Sequence, residues 1–229
     1  MKYDTICYGI FRERPNRFIA HVEIDGIPQI CHVKNTGRCR ELLVPGAKVV
    51  LQKAANPARR TAYDLIAVWK GDLLINLDAQ APNAVFSEWA RRTGFPEGLR
   101  LLKAEQTYGD SRFDFYFETD RDRGYIEVKG VTLEKDGVAR FPDAPTARGT
   151  KHLRGLTACA EEGLQACAVF VAQMPGMRYL EPNDATDPDF GKALRDAQKS
   201  GVRIVALECR VQPDSLEITG EIPIRLTRE

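Results

Sequence analysis

The sequence predicts a protein of the mixed α/β (α+β) class, in which a small β-barrel precedes a mixed α/β sheet. Residues 1–80 form a series of short apolar segments separated by turn residues. Residues 82–93 have the pattern of a helix that stops at Gly94-Phe95-Pro96. Beyond residue 99, strand-like and helical segments alternate, which is typical of a sheet with helices packed on its faces. We therefore expect two domains, residues 1–81 and 82–229.

Six short strands are expected in the first domain. They are residues 6–11, 18–24, 29–33, 47–52, 62–69 and 73–77. The turns between them are Pro15-Asn16, Asp25-Gly26, Pro45-Gly46, Asn56-Pro57 and Gly71-Asp72. Such strands favour a closed barrel, because closure removes exposed edges. A short helical segment at 38–43 lies where an OB-type barrel carries a helix, so the prediction is an OB-like barrel.

The second domain is expected to add strands and two further helices to the helix at 82–93. The strands are residues 101–107, 113–118, 125–133, 166–173, 202–209 and 215–224. The helices are residues 146–162 and 190–199, ended by Gly163 and by Ser200-Gly201. This order predicts a mixed central sheet with helices against its faces.

The composition argues against several classes of protein. No apolar run reaches the roughly 18 residues of a membrane span, and the first residues lack the apolar core of a secretory signal. We therefore expect a cytoplasmic protein without a membrane partner. The six cysteines form no CxxC pair, which disfavours a zinc site or a disulfide framework. Residues 1–80 hold 12 Lys+Arg against 8 Asp+Glu, and the remainder holds 21 against 24. A basic first domain fits nucleic-acid binding, although random scatter of surface charge gives the same count.

Acidic residues and a lysine follow the predicted strands of the second domain. Asp114 lies in one strand, and Glu127-Val128-Lys129 lies in the next. Because strand side chains alternate, Glu127 and Lys129 point to one face. Two carboxylates and a lysine on neighbouring strands are what metal-dependent phosphodiester hydrolysis needs, and Glu105 is a candidate third carboxylate. The alternative is a solvated ladder of surface charge, since one such tripeptide is expected by chance.

Basic residues in both halves are candidates for nucleic-acid contacts. In residues 139–153 a loop enters a helix whose N-cap is Thr146, and a helix start is suited to binding phosphate. Loops of a barrel commonly hold nucleic acid, with solvated surface charge as the alternative. The candidate contacts are Arg12, Arg17, Lys34, Asn35, Arg38, Arg112, Arg148, Lys151 and His152. We expect Phe11 and Phe18 to be core residues rather than base-stacking residues. Gln173 is either a polar strand end or a contact to a metal-bound water or a base.

Several distinctive strings occur along the sequence, namely NRF (16–18), HVKNTGRCRELLVPG (32–46), GDSRFDF (109–115), IEVKGVTL (126–133), FPDAPTARGTKHL (141–153) and DPDF (187–190). Together they resemble the sugar fermentation stimulation protein A family. The resemblance implies an OB-like barrel joined to a restriction-endonuclease-like domain of the PD-(D/E)xK type. It also implies non-specific DNA binding and a proposed role in regulating sugar metabolism, particularly that of maltose.

The resemblance places a nuclease-type site on the same acidic residues. Asp114, Glu127 and Glu105 would bind Mg²⁺ or Mn²⁺, and Lys129 would complete the catalytic set. Two hypotheses about function follow, a metal-dependent nuclease and a non-catalytic DNA-binding protein with a silent site. A small-molecule or interaction protein with incidental charges is a third. Nuclease domains of this type often act as dimers on duplex DNA, so a homodimer is also an open expectation.

Overall fold

Six strands form the N-terminal sheet of the computed structural model, which describes residues 1–35, 37–56 and 58–227. They are β1 (Ile6–Asn16), β2 (Ile19–Ile24), β3 (Ile27–Val33), β4 (Lys48–Lys53), β5 (Tyr63–Lys70) and β6 (Leu73–Asn76). Their order is β3-β2-β1-β4-β5-β6, and β3 also pairs with β5. Five strands thus close into a barrel, which confirms the predicted OB-like architecture. Strand β2 shows the reason, since Ala20, Val22 and Ile24 alternate into the interior.

The prediction of a helix at residues 38–43 was wrong. The segment forms a single turn in which the N–H groups of Leu42 and Leu43 both donate to the carbonyl of Cys39. A helix of six residues has little stability of its own, and Cys39 has a positive φ of 45°, outside the right-handed helical region. Burial of Cys39, Leu42 and Leu43 holds the segment as a loop against the barrel instead.

A second six-stranded sheet and three helices make up the C-terminal half. The helices are α1 (Ala81–Thr93), α2 (Ala147–Glu161) and α3 (Pro188–Lys199). The strands of this sheet are β7 (Leu101–Tyr108), β8 (Ser111–Glu118), β9 (Arg123–Val131), β12 (Gln165–Ala172), β14 (Arg203–Gln212) and β15 (Ser215–Glu221). Their order is β15-β14-β12-β9-β8-β7. The central strands β9, β12 and β14 are parallel and the outer pairs are antiparallel, which confirms the predicted mixed sheet.

Helices cover both faces of this sheet. Helix α1 packs on one face through Phe86, which contacts Phe115. Helices α2 and α3 cover the other face, where Leu156 and Phe190 are buried. Within the part of the chain that the structure describes, no helix is long and apolar enough to cross a membrane.

A third, three-stranded sheet was not predicted. It consists of β10 (Leu133–Lys135), β11 (Val138–Phe141) and β13 (Tyr179–Pro182) in the order β10-β11-β13. Strands of three or four residues carry too little alternation to be recognised locally, and the β11–β13 pairing joins segments far apart in the sequence. Part of the predicted turn at Asn56-Pro57 and the last two residues of the predicted second domain lie outside the described residues. The division of the chain after residue 81 stays a prediction.

Candidate functional site

Asp114 lies where strand β8 separates from strand β9. The pairing of the two strands ends at Phe115 and Ile126. Phe115 packs against α1 on one face of the sheet, whereas Phe113 contacts His152 of α2 on the other, so the alternation of β8 breaks at Asp114. The side chain of Asp114 replaces the missing ladder bond, because its Oδ2 accepts a hydrogen bond of 2.8 Å from the Val128 N–H.

A second donor comes from helix α1. The Nδ2 of Asn83 donates to Oδ1 of Asp114 at 2.8 Å. Asn83 directly follows Pro82 in the first turn of α1, and Phe86 anchors this helix on the sheet. Both oxygens of Asp114 are therefore oriented by groups that the fold positions. The sequence carried no signal for Asn83 beyond its place at a helix start.

Glu127 and Lys129 lie on the α2 side of strand β9, while Val128 packs into the opposite layer with the residues of the α1 side. Glu127 is 3% exposed. Its Oε1 accepts hydrogen bonds from Nζ of Lys129 and from Nδ1 of His152. An ionised carboxylate only accepts, so Nδ1 of His152 carries the proton. The other oxygen, Oε2, is buried and has no hydrogen-bond partner among the described residues.

The two carboxyl groups have opposite pKa shifts. Burial raises the pKa of Asp114, and the neighbouring charge of Glu127 raises it further. Burial would also raise the pKa of Glu127, but the hydrogen bond from His152 and the positive charge of Lys129 outweigh burial and lower it. A further positive charge beside the two groups would favour the ionised form of both.

The donor set fits a divalent cation bound by two carboxylates. Within the described parts of the chain, no group of three or more His, Cys, Asp or Glu side chains is arranged to hold a metal. Mg²⁺, however, is commonly bound by one or two carboxylates and takes its other ligands from water and substrate phosphate. The unpartnered Oε2 of Glu127, together with Asp114, supplies two such carboxylates. A cation bound to Oε2 would also relieve the cost of a buried acceptor without a partner, which is about 1–3 kcal/mol.

Glu105 does not join Asp114 and Glu127. In the β7–β8 ladder Ala104 pairs with Phe115 and Gln106 with Phe113, but Glu105 is skipped. Its φ of 55° marks the irregularity. The carboxylate pairs instead with Arg112, and both side chains are more than 60% exposed. The predicted third carboxylate and the predicted phosphate ligand Arg112 thus neutralise each other at the surface.

Helix α2 brings His152 to the buried site and leaves basic residues outside. Thr146 caps the helix as predicted, its Oγ1 accepting from the Gly149 N–H at 3.0 Å. His152 is 6% exposed and faces the sheet, whereas Arg148 and Lys151 are exposed. His152 therefore lies against Glu127 rather than on the surface with the two expected phosphate ligands.

The basic residues of the barrel divide into structural and exposed groups. Lys34 forms an ion pair of 2.7 Å with the buried Asp78, and Asn35 donates to the carbonyl of Leu77 at 3.0 Å. Arg12 pairs with Glu23. Two predicted contacts remain exposed and form no ion pair with any residue that the structure describes, namely Arg17 and Arg38.

Phe11, Phe18 and Gln173 were the remaining residues for which the sequence offered both a structural and a binding role. Phe11 is buried as predicted, but Phe18 is 52% exposed, so the expectation that it is a core residue was wrong. Gln173 is buried, and its Nε2 donates to Oδ1 of Asn76 at 2.8 Å and to the carbonyl of Asp78 at 3.0 Å. Of the two interpretations of Gln173, the geometry favours a structural one, in which it joins the C-terminal sheet to the end of the barrel.

Comparisons with known proteins match both halves of the chain. Residues 13–77 match the model described as the SfsA N-terminal OB domain. Residues 80–215 match the model described as the sugar fermentation stimulation protein RE domain. The solved structure of Pyrococcus furiosus SfsA in complex with Ca²⁺ has a TM-score of 0.90 and 27% identity, and the match covers 98% of both chains.

Curated relatives are similar over almost their whole length. A protein of Desulfitobacterium hafniense is 54% identical over 226 residues, 99% of each chain. One of Ruminiclostridium cellulolyticum is 52% identical over 226 residues, 99% of this chain and 100% of the relative. Both are called sugar fermentation stimulation protein homologs. Because two family models together span most of the chain and the relatives match it end to end, this protein belongs to the sugar fermentation stimulation protein (SfsA) family.

Proposed function

We propose that this protein binds DNA and cleaves phosphodiester bonds with a divalent cation, Mg²⁺ or Mn²⁺, at Asp114 and Glu127. The observation that carries the proposal is the buried, unpartnered Oε2 of Glu127, which lies in a cluster with a second carboxylate, a lysine and a histidine. A buried charged group with an unused acceptor is a candidate ligand. The solved relative from Pyrococcus furiosus, described as a complex with Ca²⁺, is consistent with a divalent cation in this family.

Each residue of the site has a distinct task in this proposal. Asp114 and the free oxygen of Glu127 would hold the cation. When bound, the cation would polarise a phosphoryl oxygen and lower the pKa of a water molecule. The side chain of Lys129 is 18% exposed. Its Nζ would orient the attacking water or offset the charge that develops on the phosphate. His152 would act through Glu127, because it holds Oε1 and leaves Oε2 available.

Substrate binding would use the exposed cations around the site. Arg148 and Lys151 lie on the first turns of α2, the helix that also carries His152 to Glu127. Phosphate is stabilised at a helix N-terminus by the unpaired N–H groups and the helix dipole. Such contacts are made with the phosphate backbone of the DNA and not with base edges, so we expect binding without sequence preference. A protein that acts on DNA in this way would work in the cytoplasm.

A second candidate function is DNA binding without cleavage. The observation that favours it is that Lys129 is already engaged in an ion pair with Glu127, and the described residues offer only two carboxylates to a cation. In that case the stimulation of sugar fermentation, after which the relatives are named, would rest on DNA binding alone.

One cleavage assay separates the two candidates. Supercoiled plasmid and circular single-stranded DNA are incubated with the protein in EDTA, Mg²⁺ or Mn²⁺, beside the Glu127→Gln and Glu105→Gln variants. We expect nicking or degradation that requires the cation, persists in Glu105→Gln and is lost in Glu127→Gln. DNA that is retarded on a gel but never cut would favour the binding protein. Cleavage at full rate by Glu127→Gln would show that the catalytic site lies elsewhere.

A further inference from the structure

The tip of the hairpin between β1 and β2 carries an exposed aromatic residue, Phe18, directly after Arg17, which lines a basic groove. Residues Arg17 and Phe18 form its two-residue tip, since Asn16 pairs with Ile19. The Oδ1 of Asn16 accepts hydrogen bonds from the N–H groups of Phe18, at 2.9 Å, and Ile19, at 3.1 Å. These bonds fix the backbone of the tip, while the side chain of Phe18 stays 52% exposed. The tip therefore holds the backbone of the exposed Phe18 at a fixed position.

The groove beside this tip is lined mainly by arginines. Arg17, Arg38 and Arg40 line it and form no ion pair within the described chain, and Arg12 lines it with its charge paired to Glu23. Among the described residues that line it, one is acidic, Glu13, and it contacts His21. Three unpaired guanidinium groups in one concave surface attract a polyanion.

Arg14 builds the groove rather than binding in it. Its guanidinium donates to the carbonyls of Arg17, Asn35, Gly37 and Arg38 at 2.6–2.9 Å. Four backbone acceptors thereby join the hairpin tip to the loop that follows β3. A guanidinium offers five N–H donors spread over a rigid planar fork, whereas a lysine ammonium has three donors on a single nitrogen. The groove is therefore a preformed surface.

The groove reaches the second half of the molecule. Ala144 and Pro145 form part of its wall, and the N–H of Arg38 donates to Oδ2 of Asp143 at 3.1 Å. Helix α2 begins just beyond, at Ala147. At 1.5 Å per residue, His152 lies about 8 Å farther along this helix. A strand in the groove would need only a few nucleotides to reach Glu127.

We infer that the groove and Phe18 bind single-stranded DNA, with a base stacked on the Phe18 ring and phosphates on Arg17, Arg38 and Arg40. This inference rests on the proposed function and names its substrate class. In a duplex each base face is covered by its neighbours, so an exposed ring on a hairpin tip stacks only on an unstacked base. Single exposed apolar side chains are common. What distinguishes Phe18 is a neighbouring groove of unpaired arginines, a combination typical of barrels that bind single strands.

The test compares the affinities of single-stranded and duplex DNA by fluorescence anisotropy in EDTA, so that no cleavage occurs. The probes are a labelled oligothymidylate of about 20 nucleotides, longer than the site of one OB barrel, and a hairpin duplex. The variants are Phe18→Leu, Phe18→Tyr and Ile27→Ala. Ile27 is the matched control, because it is 60% exposed at the start of β3, directly after the Asp25-Gly26 turn, and has no arginine beside it in the sequence.

We expect Phe18→Leu to weaken single-strand binding by about 5- to 100-fold, the usual effect of losing one stacked base. Phe18→Tyr keeps the ring and should bind as the wild type does, and Ile27→Ala should change nothing. Duplex binding should shift by less than about twofold in every variant, because it uses phosphate contacts. Unchanged single-strand affinity of Phe18→Leu, or equal losses on both probes, would overturn the inference while leaving DNA binding intact. Failure of the wild type to bind either probe would instead overturn the proposed function and this inference with it.

Discussion

The free oxygen of Glu127 makes the cation-binding proposal testable without any catalytic assay. In Glu127→Gln the amide oxygen replaces Oε1 and accepts from His152 and Lys129, while the amide NH₂ takes the place of Oε2. The variant therefore keeps the contacts that hold the side chain and directs donors to the position where a cation would bind. Hydrogen bonds to a neutral amide oxygen are weaker than those to a carboxylate, and the exchange should cost about 1 kcal/mol for each bond. Relief of the repulsion with Asp114 offsets part of that cost.

The size of the effect follows from linkage. A ligand that binds only the folded state stabilises it by about 2.7 kcal/mol at a concentration 100 times its Kd. For a chain of this size, 1 kcal/mol corresponds to about 2–4 °C in Tm. We therefore expect Mn²⁺ to raise the Tm of the wild type by about 5–11 °C and to leave Glu127→Gln unchanged.

Differential scanning fluorimetry with a series of Mn²⁺ concentrations, compared with EDTA, measures this shift. Glu105→Gln is the control, because Glu105 is exposed and paired with Arg112 outside the cluster; it should keep the full shift. A full shift in Glu127→Gln would refute our assignment of Oε2 as a cation ligand. A loss of the shift in Glu105→Gln would show that Glu105 turns into the site when a cation binds.

Three further predictions concern residues around the site and in the barrel. Asn83→Ala removes one of the two donors to Asp114 and should weaken cation affinity about 10- to 100-fold; a titration that gives the wild-type affinity would exclude this orienting role. Arg14→Lys replaces a planar group that bonds four carbonyls by an ammonium with three donors on one nitrogen, and it should lower the unfolding free energy by about 1–3 kcal/mol, as measured by urea denaturation; an unchanged midpoint would contradict it. Burial alone would raise the pKa of Asp64, but hydrogen bonds from Arg59 and His32 outweigh burial and lower it. The ionised Asp64 therefore stabilises the fold at any pH above its unfolded pKa of about 3.9. This stabilisation is lost as the pH falls through the lower pKa of the folded state. Asp64→Asn should therefore be less stable than the wild type at neutral pH, and Tm curves of the two that fail to converge below about pH 4 would contradict this.

Local sequence patterns were sufficient to predict a strand or a turn where the signal repeats along one segment of the chain. The alternation in β2 and the apolar run of β12 predicted strands, and turn residues between short strands predicted a barrel. The relation between Glu127 and Lys129 was also a local matter, because two residues apart in a strand lie on one face whatever surrounds them. The cap of α2 at Thr146 depended only on residue type and position.

The tertiary structure decided which polar side chains are buried and which ones meet. Asp114 takes its hydrogen bonds from Asn83 and Val128, 31 and 14 residues away, and no local pattern reports such neighbours. His152 was expected on the surface, but the packing of α2 turns it toward Glu127, and the irregularity at Glu105 turns that carboxylate outward. Phe18 was expected in the core, yet a two-residue hairpin tip has no interior to enter. Sequence periodicity thus determined the strands and the face that carries the acidic residues. Burial and pairing depend on contacts between distant segments, and these determined the composition of the site.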